Sequence, residues 1–190
     1  PTKQVAPGGQ TTQATLDSLG RVTAVWRPGR DTGSSASVKY SYTINAAGVN
    51  AVKTETLNAD GSTYLASYTL YDSLLRARQT QTRAANNSGR VISDTQYDAR
   101  GLAWRTATYW GAGDPAAVMV EPAPTATIPY ETRTTFDYVA RPNVAAFYAY
   151  GAEQWRTTTN YTGDKTTVIT PAGGTPTTTV TAVHGRTTAL

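Results

Sequence analysis

Apolar and polar residues alternate with a period of two through much of this chain, which is the side-chain period of a β-strand. In residues 102–110, one face carries Leu102, Trp104 and Trp110 and the other carries Ala103, Arg105 and Tyr109. Val22, Ala24 and Trp26 share a face in the same way. Helix-favouring runs of Leu, Glu and Lys are nearly absent. The alternating runs are separated by Gly- and Pro-rich links at 29–35, 86–89 and 171–176. The longest break, 111–129, contains Asp114-Pro115, Pro122, Pro124 and Pro129, and it predicts an inserted loop because proline is excluded from central strands. The pattern predicts an all-β array of antiparallel hairpins running over 1–190 without a domain boundary.

A short unit recurs at the strand ends. It reads apolar or aromatic residue, Asp, variable residues, a small residue, then Arg. The copies are Leu16-Asp17-Ser18-Leu19-Gly20-Arg21, Tyr71-Asp72 to Arg76, Tyr97-Asp98-Ala99-Arg100-Gly101, and Phe136-Asp137 to Arg141. A degraded fifth copy ends in Gly185-Arg186. An Asp that closes a strand can accept from the backbone two residues on and so start a turn. Gly20, Gly101 and Gly185 stand four residues after the apolar position and can supply a positive φ. Leu75 and Ala140 stand there in two copies, so those turns either avoid positive φ or carry strain. The Asp positions are 17, 72, 98 and 137, giving spacings of 55, 26 and 39. Such spacing implies hairpins of unequal length with inserted loops rather than identical coils.

Composition narrows the function classes. The chain of 190 residues contains 35 threonines, 12 tyrosines and 16 glycines, while charged residues make up only 16%. Threonine and tyrosine suit pleated, half-exposed strands. The net charge of +4 comes from scattered arginines, not from the clustered basic footprint of a nucleic-acid-binding protein. There is no cysteine, which removes disulfides and thiolate chemistry. The longest apolar run, Ala116-Ala117-Val118-Met119-Val120, is too short to span a bilayer. Pro1-Thr2-Lys3 is no signal peptide, and the chain reads as a piece of a longer protein.

In the Asp units the sequence resembles the Rhs/YD-repeat family, and the resemblance extends over essentially the whole chain from Thr15 onwards. It implies long antiparallel strands that spiral as a curved sheet into a hollow shell. In bacteria such a shell commonly surrounds a toxic C-terminal polypeptide. The resemblance therefore implies a secreted or cell-surface bacterial protein whose partners are neighbouring repeats and an enclosed effector. Asp114-Pro115 is similar to the family's self-cleaving aspartate site, but Ala116-Ala117 follows it and it lies inside an insertion, so it reads as an ordinary loop.

Enzymatic chemistry finds little footing. His184 is the only histidine and lies in the degraded turn. No nucleophile motif, phosphate loop or metal-ligand spacing is present. No catalytic residue, cofactor or metal is expected. The aspartates of the repeats are accounted for by their turns. The main expectation is a structural shell segment that encloses or presents a polypeptide, with stability summed over neighbouring hairpins and with open sheet edges through which an isolated piece self-associates. The alternative is a carbohydrate- or protein-binding β module that stacks ligands on Trp26, Trp104, Trp110 and Trp155. Against that stands cross-strand packing, the commoner use of aromatics in antiparallel sheets.

Overall fold

A computed structural model describes residues 2–182 and 184–189. Among them fifteen strands form one sheet in chain order, and the only helical segment is a 3-10 turn at Thr125–Thr127. The strands are β1 (Thr2–Val5), β2 (Thr11–Leu16), β3 (Val22–Trp26), β4 (Val38–Thr43), β5 (Asn50–Leu57), β6 (Tyr64–Tyr71), β7 (Ala77–Arg83) and β8 (Arg90–Tyr97). Then come β9 (Ala103–Gly111), β10 (Tyr130–Phe136), β11 (Pro142–Ala149), β12 (Ala152–Thr162), β13 (Lys165–Ile169), β14 (Thr177–Thr181) and β15 (Thr187–Ala189). Each strand neighbours the next in sequence, as antiparallel hairpins require. The fold is the all-β hairpin array that the alternation predicts.

The chain divides into two compact units. The first comprises Pro1–Ile92 and Trp110–Val120, the second Ser93–Tyr109 and Glu121–Leu190. The sequence shows no boundary there, because the division passes through strands β8 and β9 and through the insertion instead of along a linker. The insertion is irregular from residue 112 to the 3-10 turn.

The repeated apolar position has a fixed place. Leu16, Tyr71, Tyr97 and Phe136 are each the last residue of a strand, namely β2, β6, β8 and β10. Thr181 holds the same place at the end of β14. The register slips by one residue at Leu16, Tyr71, Phe136 and Thr181. In each turn the N–H of the first residue donates to the carbonyl four residues further on, as in Asp17 N to Arg21 O at 2.9 Å, while Gly20 N donates to Asp17 O at 3.0 Å. This is a three-residue hairpin loop closed by a left-handed residue and a bulge. It recurs at Asp72, Asp98, Asp137 and Ala182.

Strain resolves the question raised by the two copies without glycine. Leu75 has φ 58° and Ala140 has φ 65°, matching Gly20 at 77° and Gly101 at 85°. The hairpin geometry is thus imposed on residues that resist it. A left-handed residue with a Cβ costs roughly 1–2 kcal/mol, and glycine gives back about 0.5–1 kcal/mol in the unfolded chain. Ala140→Gly should therefore stabilise the protein by about 0.5–1 kcal/mol, seen as a higher urea midpoint with an unchanged m-value. Leu75→Gly should gain less, because Leu75 also lines an apolar hollow with Ile44 and Val52. A lower midpoint for Ala140→Gly would show that the turn is not strained.

The buried face is shallow and unusually polar. The first unit buries Trp26, Val38, Ala51, Leu70 and Ile92, and beside them Gln79 and Gln81. The second buries Ala107, Tyr109, Ile128 and Ala146 together with Asp94, Arg105 and Glu131. On β9 the buried face is Arg105–Ala107–Tyr109, and Trp104 and Trp110 lie on the exposed one.

Candidate functional site

Each Asp unit is a small hydrogen-bonded machine for holding a hairpin end. Asp17 Oδ1 accepts from the backbone N–H groups of Leu19 and Arg21, both at 2.9 Å, and Oδ2 accepts from Arg21 Nε at 2.7 Å. Asp72 repeats this with Leu74, Arg76 N and Arg76 Nε at 2.9, 3.0 and 2.8 Å. Asp137 repeats it with Val139, Arg141 N and Arg141 Nε at 3.0, 2.9 and 2.7 Å. Asp98 differs because Gly101 and Leu102 close its turn. Its carboxylate takes Arg100 N and Leu102 N, both at 2.9 Å, and Arg100 reaches on to Asp137 O at 2.8 Å. In the fifth turn Ala182 replaces the Asp, so Gly185 and Arg186 keep only the backbone bonds of that turn. His184 is exposed there.

The arginine of the unit also faces the next hairpin. The Arg21 guanidinium lies 4.5 Å over the Tyr42 ring, and Tyr42 Oη donates to Val22 O at 2.8 Å. Arg141 lies 4.2 Å over Tyr161, and Tyr161 Oη donates to Pro142 O at 3.0 Å. The two copies are the same object. Asp fixes Arg, Arg stacks on a tyrosine, and the tyrosine hydroxyl returns to the carbonyl just after the Arg. A cation over an aromatic face is worth about 0.5–1 kcal/mol at an exposed site.

These bonds move the carboxyls. For Asp17 the main cause is the backbone N–H of Arg21, and the pKa falls below its ordinary 3.8. For Asp98 the backbone N–H of Leu102 does the same. For Asp72 and Asp137 burial pushes upward, but the N–H groups and guanidinium of Arg76 and Arg141 outweigh it, and both fall. Asp60, held by the hydroxyl and N–H of Thr63 and the N–H of Ser62, drops to about 2. A carboxyl whose folded pKa is depressed contributes stability above its unfolded pKa and loses it as pH falls through the folded value. The melting temperature should therefore be insensitive to these groups above about pH 5 and should fall between about pH 4 and pH 2. Asp72→Asn with Asp137→Asn should lower stability at pH 7 and flatten that acid slope. An unchanged slope would remove these turns as the source.

In the first unit, part of the insertion lies against the sheet. Gln79 on β7 donates from Nε2 to Val120 O at 2.9 Å and accepts Val120 N on Oε1 at 3.0 Å. Gln81, two residues on and so on the same face, donates to Val118 O at 2.8 Å and accepts Ala116 N at 3.1 Å. Arg90 on β8 donates to Gln81 Oε1 at 2.8 Å and to Asp114 O at 3.0 Å, and Arg83 pairs with the Asp114 carboxylate at 3.0 Å. Asp114-Pro115 is thereby an anchored part of this segment.

The second unit contains a buried ionic group. Glu131 on β10 takes Arg105 Nη2 at 2.8 Å and Arg133 Nε at 2.5 Å. Glu131 is 1% exposed and Arg105 7% exposed. Burial pushes the Glu131 carboxyl up, and the two guanidinium groups hold it below its ordinary value. On the opposite face, Tyr130 and Phe147 lie 4.9 Å apart between centroids, and Phe147 and Trp155 stack at 5.6 Å.

The four tryptophans part company here. Trp26 is buried and donates to Ser34 O at 2.9 Å, which makes it core and takes it out of any stacking surface. Trp104, Trp110 and Trp155 are exposed, with Trp110 bonded to Ser88 O and Trp155 packed on Phe147. Alternation alone had singled out neither Gln79 nor Gln81, nor the pairing of Glu131 with Arg105. The Gln-x-Gln spacing on one strand face is the only sequence signal for the first. No group of three or more His, Cys, Asp or Glu side chains is arranged to hold a metal among the described residues, and none of the helices there is long and apolar enough to cross a membrane. No protein-family model matches the chain, and no curated protein matches it.

Proposed function

We propose that this chain is a non-enzymatic segment of a β shell of the Rhs/YD-repeat kind, part of a secreted or cell-surface bacterial protein that encloses or presents a C-terminal effector polypeptide. The observation that carries this reading is the repeated staple. The Asp-turn-Arg unit closes the hairpins after β2, β6 and β10, and the same backbone turn closes those after β8 and β14. In two copies it also ties that hairpin to the following strand through Arg and Tyr. Such a device lets a sheet grow one hairpin at a time with a shallow core, as a wall requires and a pocketed enzyme does not. The buried polar side chains give the wall a face that can meet main-chain groups.

The test is electron microscopy of the longest natural polypeptide that contains this sequence. The expected result is a closed shell whose wall includes these hairpins, with polypeptide density inside it. A free-standing module ending in open solvent would overturn the reading. The exposed ring series Tyr130–Phe147–Trp155 favours a second reading, a glycan- or protein-binding surface. Glycan-array binding at millimolar affinity or better that is lost in Trp155→Ala would put that reading first.

A further inference from the structure

The bonds between β7 and the segment 114–120 are made almost wholly to main chain. Each glutamine presents one amide N–H and one carbonyl oxygen to peptide groups of the segment, as the backbone of a neighbouring strand would. Arg90 reads a carbonyl as well, and only Arg83 reads a side chain, that of Asp114. Val118, in the middle of the segment, is 63% exposed, and Pro115, Ala116, Ala117, Met119 and Val120 are only half-buried, so the polar bonds that seat the segment run chiefly to its main chain. Beneath it lie amides that water can satisfy, so lifting the segment exposes little apolar surface at that point. Arg90 also keeps a buried Nε N–H without a partner, a further donor on the guanidinium that already binds Asp114 O.

We propose that Gln79, Gln81 and Arg90 form a binding site for the main chain of an extended polypeptide, and that residues 114–120 are a resident strap that another extended segment can replace. Recognition through main chain is tolerant of sequence, and Pro115 within the strap and Pro122 just after it limit the strap's own pairing into the sheet. If the shell reading holds, the site would be a point at which the wall grips an enclosed polypeptide; that use rests on the reading, while the exchange itself does not.

The experiment uses the full chain with Met119→Cys carrying a fluorophore, so that release of the strap raises its mobility. Three nine-residue peptides are added: the sequence 113–121, an unrelated extended sequence, and 113–121 with the amides of Ala116 and Val120 N-methylated. A tethered strap competes at an effective concentration on the order of millimolar, so the first two should release it at millimolar concentrations. The N-methylated peptide should require at least about tenfold more, the loss of roughly 1.4 kcal/mol that its missing donors imply. Gln79→Leu with Gln81→Leu should free the strap without peptide, and the N-methylated peptide keeps the test valid if that variant does not fold. Release by 113–121 alone would show side-chain recognition and overturn the proposal, as would a strap that no peptide moves. Either failure leaves the imaging test of the shell untouched.

Discussion

Replacing Glu131 by Leu is expected to destabilise the second unit by about 3–5 kcal/mol. The carboxylate is almost completely out of solvent and is the acceptor for two guanidinium groups. Removing it leaves Arg105, itself 7% exposed, as a buried cation. Asp94 is the other carboxylate whose charge acts on Arg105, and it too is buried. Arg133 has an alternative, since it already lies 4.1 Å over the Tyr148 ring and is partly solvated. The penalty should therefore be carried mainly by Arg105. That assignment has its own consequence: Glu131→Leu combined with Arg105→Leu should recover part of the loss, because the buried cation is gone, although Asp94 then loses the guanidinium whose charge it faces. Urea denaturation of the two single variants and the double variant gives the coupling directly. A Glu131→Leu variant within about 1 kcal/mol of the parent would mean that water reaches the group and that the ion pair does not organise this face.

The contrast between turns and faces explains what could be read in advance. The Asp units are local. Everything that Asp17 or Asp137 bonds in its turn lies within four residues, so the spacing of Asp, small residue and Arg carries the geometry. The same locality made the strands and their ends legible. It did not extend to the turn at Tyr150-Gly151, where Tyr150 takes φ 51° and its N–H bonds Ile128 O at 2.7 Å, a partner 22 residues away. Which face of β9 is buried was equally illegible. Alternation separates the tryptophans from Arg105, and hydrophobicity alone would bury the tryptophans. The opposite happens because Arg105 finds Glu131 26 residues away. In the first unit Gln79 and Gln81 are covered through partners 35 to 41 residues away. A buried polar residue is stable only with its partners, and partners at that distance leave no trace in a period-two pattern.

Gly89→Val is the other substitution with a large expected effect, about 3 kcal/mol. Gly89 has φ 77°, and a Cβ there would stand 2.6 Å from Gly111 O and 2.6 Å from Trp110 Nε1. A left-handed residue with a side chain costs roughly 1–2 kcal/mol, and forcing side-chain atoms against a carbonyl and an indole adds about 1–3 kcal/mol. Gly20→Val separates the two contributions. Gly20 has the same φ of 77°, but a Cβ there meets nothing within 4 Å, so that variant bears the conformational cost alone. The difference between the two variants therefore measures how firmly Trp110 is seated on the turn that ends at Gly89, where its indole donates to Ser88 O at 3.1 Å. That seat lies immediately before the strap. If it sets the strap's path, Gly89→Val should red-shift the tryptophan emission and speed hydrogen exchange at Ala116 and Val120, while Gly20→Val should do neither. Equal losses in the two variants, with exchange at Ala116 and Val120 unchanged, would show that the strap is held by Gln79 and Gln81 without help from Trp110.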